Sequence, residues 1–175
     1  TGFLGRRIAV HAAARGWKVR ALVRGDRRQP IPGVHEVVGG DLADRAALAR
    51  LVEGAALIIH NAGRVRARSA AAFFAVNHVG AAAVAAAAAQ GAPDAAFVLI
   101  SSLAARRPEI SPYAASKAAG EAAVRAALVG RKLAILRPPA IYGPFDAATK
   151  PLFDAIRLGV APRLGPAAAR FAMIY

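Results

Sequence analysis

Two neighbouring stretches, A-F-V-L-I-S-S at residues 96–102 and S-P-Y-A-A-S-K at residues 111–117, decide the fold of this chain. The first begins as a continuous apolar run, which is typical of a strand buried on both faces of a parallel sheet. The second predicts a helix, because Ser111 suits the N-cap and Pro112 suits the first helical position. A buried strand that leads into a capped helix is the repeating unit of parallel α/β sheets.

Tyr113 and Lys117 lie four residues apart on this predicted helix, so their side chains lie one turn apart on the same face. An ammonium near a phenol favours the phenolate and lowers its pKa from about 10 towards the working range. Such a phenol can exchange a proton with an alcohol or carbonyl oxygen. Taken alone, the pair fits an ordinary solvated helix face even better, and the rest of the chain decides between the two interpretations.

Outward from these stretches, apolar strands and helical patterns alternate along most of the chain. Strands are predicted at residues 17–24, 34–38, 55–60, 96–100, 133–137 and 171–175, and helices from the start to about 15 and at 44–53, 69–91, 111–130 and 151–158. This pattern predicts an α/β fold with a doubly wound parallel sheet of the Rossmann type. The alternation stops near Gly143, so a domain boundary is predicted between residues 1–143 and 144–175.

Length and composition indicate a folded globular chain. With 175 residues, of which 57% are hydrophobic, one domain with a proper core is expected. Cysteine is absent, which excludes disulfides and thiolate zinc sites, and we expect a cytoplasmic protein. His11, His35 and His78 show no metal-ligand spacing, so no metal site is predicted. We also expect no signal peptide and no membrane span, since the apolar run at 79–89 is too short for a bilayer.

The formal charge of +14 could indicate nucleic-acid binding. The basic residues are 20 Arg and 4 Lys, however, scattered along the chain without the interleaved aromatic residues that stack on bases. We therefore interpret the arginines as a solvated surface and expect a small-molecule substrate instead of nucleic acid.

Six motifs stand in a fixed order along the chain: T-G-F-L-G, G-D-L, H-N-A-G, I-S-S, Y-A-A-S-K and R-P-P-A-I-Y-G-P. Together they resemble the extended short-chain dehydrogenase/reductase family, the NAD(P)-dependent epimerase/dehydratase group. The resemblance covers essentially the whole chain and implies a dinucleotide-binding domain at 1–143. Residues 144–175 would then be the beginning of a small C-terminal substrate domain.

The opening T-G-F-L-G matches the family's glycine fingerprint only in part. Gly2 and Gly5 correspond to its second and third glycines, while the first glycine and the first strand are absent. Bare backbone at such glycines lets a pyrophosphate approach the helix N-terminus, whose free N–H groups favour anions. Thr1, Gly2, Phe3, Leu4 and Gly5 are therefore predicted to bind cofactor, and a longer intact protein is expected.

The end of the predicted strand at 17–24, which would be the second strand of the family's fold, bears on cofactor choice. An acid there holds the adenosine ribose of NAD, whereas an arginine accommodates the 2′-phosphate of NADP. Arg24 stands at this point and favours NADP over NAD, with Arg27 or Arg28 as a second phosphate contact. The alternative is that these arginines are exposed turn residues and that Asp26 binds the ribose.

The resemblance implies further cofactor contacts at the carboxyl ends of the strands, where ligands bind in such sheets. Asp41 and Leu42 would lie against the adenine, and Asn61, Ala62 and Gly63 beside the adenosine ribose. Ser101 would face the cofactor, and Pro138, Ile141 and Tyr142 would flank the nicotinamide. His60 and Asn77 are interpreted as structural, with Asn77 tying the long helix to the sheet.

The family's catalytic set maps onto Ser102, Tyr113 and Lys117. The resemblance implies that Tyr113 exchanges a proton with the substrate oxygen while Ser102 orients that oxygen. Lys117 would assist Tyr113, and both Tyr113 and Lys117 would contact the cofactor, Lys117 through the nicotinamide ribose. A hydride would then move between nicotinamide and substrate carbon.

Three functions remain open at this point. The chemistry fits net oxidoreduction of an alcohol or ketone, and equally a redox-neutral epimerisation or dehydration of a nucleotide sugar. Arg24 and the segment L-A-A-R-R after Ser102, where sugar enzymes often have V-Y-G, favour the net reductase. A non-catalytic NADP-binding sensor or assembly protein is the third interpretation, and a homodimer is a further expectation from the family.

Overall fold

The computed structural model describes residues 2–25, 30–146, 149–160, 166, 168 and 170–175. The described residues form two compact units, one ending at Arg137 and the other beginning at Pro138. The units separate a few residues before the boundary predicted at Gly143.

Strands and helices alternate throughout the first unit. In chain order it contains α1 (Phe3–Ala13), β1 (Arg20–Val23), β2 (Glu36–Gly39), α2 (Arg45–Val52), β3 (Leu57–His60), α3 (Ala70–Phe74), a π-helical segment (Ala75–Gly80), α4 (Ala81–Gly91), β4 (Ala96–Ile100), two short 3-10 helices (Leu103–Arg106 and Pro108–Ile110), α5 (Pro112–Ala127) and β5 (Leu133–Leu136). The second unit contains β6 (Ala140–Ile141), α6 (Lys150–Arg157) and β7 (Met173–Ile174).

All strand pairs are parallel, as predicted. β1 pairs with β2, and β3, β4 and β5 form a second set in which Ile58 stands opposite Phe97 and Phe97 opposite Leu133. In the doubly wound fold the first strand lies between the second and the fourth. β1 and β3 correspond to those two strands, and no strand among the described residues pairs with both. The α/β fold class with parallel sheets is therefore confirmed.

Three of the predicted helices begin at a capping side chain, including the cap predicted at Ser111. The side chains of Asp44, Ser69 and Ser111 accept hydrogen bonds from the backbone N–H three residues later, at 2.9, 3.3 and 3.1 Å. Each such cap satisfies a backbone donor that has no intrahelical partner and contributes about 1 kcal/mol.

The core lies between the sheet and helices α2, α4 and α5. Phe97 of β4 is 2% exposed, and it packs with Leu48, Val52 and Val124 from the helices in one cluster. Burying a side chain of this size stabilises the fold by about 1.5–3 kcal/mol. The core holds the carboxyl ends of β3, β4 and β5 in register, and the candidate site is built there.

The helical stretch Ala70–Gly91 is long and apolar enough, by length and composition alone, to cross a membrane. This stretch is longer than the apolar run at 79–89, on which the prediction of no membrane span was based. Ala81, Val84, Ala85 and Ala88 on this stretch are buried in the core cluster. The absence of a membrane span remains a prediction.

Two details of the tail and the loops were wrong or missing in the sequence-based prediction. The strand predicted at 171–175 contains only Met173–Ile174, which pairs with the unpredicted β6. The two 3-10 helices after Ser102 were not predicted either, because such single turns carry no periodic pattern.

Candidate active site

Lys117 brings α5 to the carboxyl end of β4. Its side chain is buried, with 8% of the residue exposed, and its Nζ donates a 2.9 Å hydrogen bond to the carbonyl oxygen of Ile100. The Ser111 cap sets the start of α5 and therefore the face on which Lys117 lies. Ile100, which accepts this hydrogen bond, stands two residues before Ser102 in the chain.

The turn after β3 closes against the same ammonium. A Cβ added at Gly63 would lie 3.3 Å from Lys117 Nζ and 3.4 Å from Asn77 Oδ1. Gly63 thus allows the backbone to approach both side chains closely. The structure brings together Gly63 and Lys117, which the sequence assigned to cofactor binding and catalysis.

Burial lowers the pKa values of two basic groups of the site, Lys117 and His60. Desolvation lowers the pKa of Lys117 to about 8, although the carboxylate of Glu121 opposes this shift. Desolvation, and secondarily the charge of Lys117, lowers the pKa of His60 to about 4, so His60 is neutral at neutral pH. The Nε2 atom of His60 is buried without a hydrogen-bond partner in the part of the chain that the structure describes.

Asn77 fastens the loop after β3 to the helices. Its Oδ1 accepts from Arg64 N at 2.8 Å, and its Nδ2 donates to Arg64 O at 3.0 Å and to Ser116 Oγ at 2.9 Å. Asn77 lies in the π-helical segment, and such segments are frequent at functional sites. These bonds fit the structural role predicted for Asn77.

Gly120 explains how α5 approaches that segment. A Cβ at Gly120 would overlap the carbonyl oxygen of Asn77, so the backbone would have to move. The close contact places α5 beside the π-helical segment and thereby helps to position Lys117, three residues earlier on α5.

Tyr113 and Ser102 are both half-buried. The ring of Tyr113 packs edge-on against Phe73, with 6.0 Å between ring centroids. Ser102 Oγ accepts from Ala104 N at 3.2 Å, which caps the first 3-10 helix. A hydroxyl that accepts in this way can still donate its own proton. The catalytic roles of Ser102, Tyr113 and Lys117 remain predictions.

Ser101 points to a different partner from the one expected. Its side chain is buried, and its Oγ donates a 2.5 Å hydrogen bond to Glu121 Oε1. The contact of Ser101 with cofactor remains a prediction, and the geometry gives its hydroxyl an interior partner.

Glu121 was not predicted from the sequence. It is 3% exposed and accepts hydrogen bonds from Arg137 Nε at 2.9 Å and Arg137 Nη2 at 2.6 Å. Burial alone would raise the pKa of this carboxyl, but the hydrogen bonds from Arg137 and Ser101 outweigh burial and hold it below its usual value. Its position one turn after Lys117 on the same helix face was the available signal.

The predicted cofactor residues near the chain start meet the end of β3. Gly2 is the N-cap of α1, and Phe3, Leu4 and Gly5 are the first three residues of that helix. A Cβ at Gly5 would lie 3.2 Å from Asn61 Nδ2, so α1 and the turn at Asn61 are adjacent. This bare-backbone approach fits a bound pyrophosphate at the α1 N-terminus.

The remaining predicted contacts are distributed more widely. Asp41 Oδ1 accepts from Ala43 N at 2.8 Å, Leu42 packs beside Gly80 of the π-helical segment, and Ala62 is exposed. Arg24 is exposed directly after β1. Pro138, Ile141 and Tyr142 belong to the second unit. Thr1, Asp26, Arg27 and Arg28 lie outside the described residues.

No group of three or more potential metal ligands of the His, Cys, Asp or Glu type occurs within the described ranges. Three titratable residues lie near the carboxyl ends of β3 and β4: Lys117, Glu121 and His60. Glu121 opposes the desolvation of Lys117 and bonds Arg137, whereas the charge of Lys117 disfavours protonation of His60.

Comparison with known proteins adds one sequence relative and several structures. Over 178 aligned residues the chain is 50% identical to a ceramide reductase of Caulobacter vibrioides (strain NA1000 / CB15N). The match covers all of this chain and 55% of the relative, so the chain spans about half the relative's length.

Two solved structures illustrate the fold. WbmH from Bordetella bronchiseptica in complex with NAD+ is 23% identical with a TM-score of 0.76, covering 91% of this chain and 60% of that one. A double mutant of DesIV, a dTDP-glucose 4,6-dehydratase from Streptomyces venezuelae with NAD and DAU bound, is 22% identical with a TM-score of 0.73, covering 99% and 65%.

The model of the NAD dependent epimerase/dehydratase family matches residues 1–158. That span includes the glycines at the chain start, the turn at Gly63 and the helix that carries Tyr113 and Lys117. The chain belongs to the NAD dependent epimerase/dehydratase family, as its six motifs predicted.

Proposed function

We propose that the intact protein is an NADP-dependent oxidoreductase that reduces a ketone on a ceramide-like lipid or oxidises the corresponding alcohol. The observation that carries this proposal is the 50% identity to a ceramide reductase along the whole of this chain. The position of the Lys117 ammonium at the carboxyl end of β4 supports it, because ligands bind at that edge in open parallel sheets.

The residues present fit a dinucleotide. Gly2 and Gly5 leave backbone bare at the start of α1, and Gly63 leaves it bare beside Lys117. In this proposal the α1 N-terminus binds the pyrophosphate, and Lys117 holds the nicotinamide ribose. When bound, the nicotinamide gives or takes the hydride.

The chain's own residues would handle the proton. Ser102 donates a hydrogen bond to the substrate oxygen and orients it, and Tyr113 gives that oxygen a proton during reduction. The positive charge of Lys117 favours the phenolate that Tyr113 becomes. The half-buried position of both hydroxyl side chains supports this assignment, because a substrate can reach them while bulk water is partly excluded.

The choice of NADP rests on Arg24. An exposed guanidinium directly after β1 can bind a 2′-phosphate through paired hydrogen bonds. Arg24→Ala should weaken NADPH binding roughly 10- to 100-fold and leave NADH binding within about twofold, since a hydrogen bond to a charged group contributes about 1.5–3 kcal/mol. Lys18→Ala, which removes an exposed cation before the other end of β1, is the matched control.

The reaction itself is tested on the intact protein with a ketone-bearing ceramide and, separately, a nucleotide sugar. We expect one NADPH to be consumed for each ceramide ketone reduced. Conversion of the nucleotide sugar without net change in cofactor would instead establish an epimerase or dehydratase. Tight NADPH binding with no turnover of any carbonyl or alcohol would favour the sensor.

A further inference from the structure

A cluster of charged side chains surrounds the buried carboxylate of Glu121, one helical turn from Lys117. At its centre is Glu121, which accepts hydrogen bonds from Ser101 Oγ at 2.5 Å and from Arg137 at 2.9 and 2.6 Å. Arg125 Nη2 lies 3.7 Å from the same carboxylate. The cluster therefore joins α5 to the residues that directly follow β4 and β5.

Such a cluster is costly to bury and is weak evidence for stability. Taking a carboxylate out of water costs several kcal/mol, and well-packed apolar side chains often replace a buried ion pair without loss. The side chain of Glu121 is 4% exposed, whereas that of Arg137 is 39% exposed. The hydrogen bonds from Arg137 and Ser101 offset this cost for Glu121. The carboxylate that they keep ionised can also act on a neighbouring charge.

We propose that Glu121 is a positioning residue of the active site under the proposed function: its carboxylate, oriented by Ser101 and Arg137, holds Lys117 as a cation at the end of β4. The two residues lie at i and i+4 on α5, and their side chains bond adjacent residues at the end of β4: Lys117 Nζ donates to the Ile100 carbonyl, and Glu121 accepts from Ser101 Oγ. The two-pronged contact from Arg137 fixes the direction of the carboxylate, which a single hydrogen bond would leave free to turn.

The surroundings of Lys117 make Glu121 the source of compensating charge. Desolvation lowers the Lys117 pKa, and Glu121 is the group that opposes this. His60 at the end of β3 is neutral near pH 7 because burial lowers its pKa to about 4. The other charged or titratable side chains around the pair are Arg125 and Tyr113 of α5 and Arg137 after β5.

The test is a direct titration of Lys117 in the intact protein labelled with carbon-13 at lysine Cε. The resonance is assigned by its absence in Lys117→Met. Glu121→Gln should move the Lys117 midpoint down by roughly one pH unit, because an opposite charge within reach is lost while both arginines remain. Glu121→Asp keeps the charge and should leave the midpoint within about 0.3 units, which separates charge from shape.

Arg137→Gln should shift the Lys117 midpoint in the opposite direction. With the competing guanidinium removed, Glu121 acts more strongly on Lys117, and the midpoint should rise. Loosened packing would move the Lys117 midpoint in one common direction for both variants, towards the ordinary lysine value. An unchanged midpoint in Glu121→Gln, or a fall in Arg137→Gln, overturns the proposal. If Glu121→Gln does not fold, the double variant Glu121→Gln/Arg137→Gln removes both charges and leaves neither one buried without its partner. Its Lys117 midpoint should lie below that of Arg137→Gln, and an equal or higher midpoint overturns the proposal.

The titration needs no substrate, so it separates this proposal from the proposed function. Opposite midpoint shifts in a protein that reduces no ketone would support the role of Glu121 towards Lys117 and reject the reductase. In an active protein, the limb of the pH–kcat/KM profile that reports Lys117 should move with the midpoint, downward in Glu121→Gln and upward in Arg137→Gln.

Discussion

Lys117 Nζ donates a 2.9 Å hydrogen bond to the backbone carbonyl of Ile100, the last residue of β4. This bond couples the helix that carries Tyr113 to the strand that leads into Ser102. It also anchors a buried ammonium whose pKa desolvation lowers to about 8.

Tyr113→Phe should reduce kcat of the intact protein by roughly 10²- to 10⁴-fold, the usual contribution of a positioned proton donor. Cofactor binding should stay within about threefold, because the ring and its contact with Phe73 are retained. Stopped-flow turnover and cofactor fluorescence measure the two effects. Tyr175→Phe, at an exposed position, is the matched control, and unchanged turnover in Tyr113→Phe would remove this phenol from the mechanism.

Lys117→Met should make the protein more stable at neutral pH while abolishing turnover. The folded pKa of about 8 lies below the ordinary 10.5, so the unfolded chain binds the proton more tightly. The free energy of unfolding of the natural protein therefore rises as the pH goes from about 8 to 10.5. Below about pH 8 the full cost of burying the charged ammonium applies. We expect a gain of about 1–3 kcal/mol at pH 7, after the lost hydrogen bond, that disappears above about pH 10.5.

Urea unfolding of Lys117→Met and the natural protein at both pH values measures this gain. Lys150→Met, which removes an exposed lysine on α6, is the control and should show no such pH-dependent difference. A loss of stability in Lys117→Met at pH 7 would mean that the buried ammonium carries no desolvation cost.

His60 should contribute to acid sensitivity. Its pKa in the folded protein is about 4, below the ordinary 6.5. The free energy of unfolding is therefore greatest above pH 6.5 and decreases as the pH falls from 6.5 to 4, because the unfolded chain binds the proton first. Between pH 7 and pH 5 this amounts to roughly 2 kcal/mol. His60→Gln should remove that part of the pH dependence, whereas His11→Gln, at an exposed position of α1, should retain it. Parallel curves for His60→Gln and the natural protein contradict the prediction.

Gly120→Ala should destabilise the fold by about 1–3 kcal/mol, because the new methyl group overlaps the Asn77 carbonyl and one helix has to shift. The shift would also move Lys117, so kcat should fall in the fraction that remains folded. Gly39→Ala, where no atom lies within 4 Å of the added Cβ, should change the unfolding free energy by less than about 0.5 kcal/mol. Equal stability of the two variants would show that α5 has room to move.

Local patterns along the chain were sufficient for the order and type of the elements. Capping residues such as Ser111 and apolar runs such as 96–100 act over a few neighbours, so they can be interpreted one segment at a time. The motifs likewise identified the family. They also indicated that the residues after β3 and β4 lie at the same edge of the sheet, at the carboxyl ends of its strands. The 3-10 turns and the two-residue strand β6 were not predicted, and the strand predicted at 171–175 was too long, because such short elements have no period to detect.

Contacts between elements were decided only by the tertiary structure. The sequence pointed to Tyr113, Lys117 and Ser102, but it could not show that Ser101 turns inward to Glu121, or that Arg137 completes that cluster from β5. Nor could it show that Gly120 lies against the Asn77 carbonyl. Periodicity determines which face a residue occupies, whereas the partner on that face depends on how distant segments pack, and burial by that packing shifts the pKa values of Lys117 and His60.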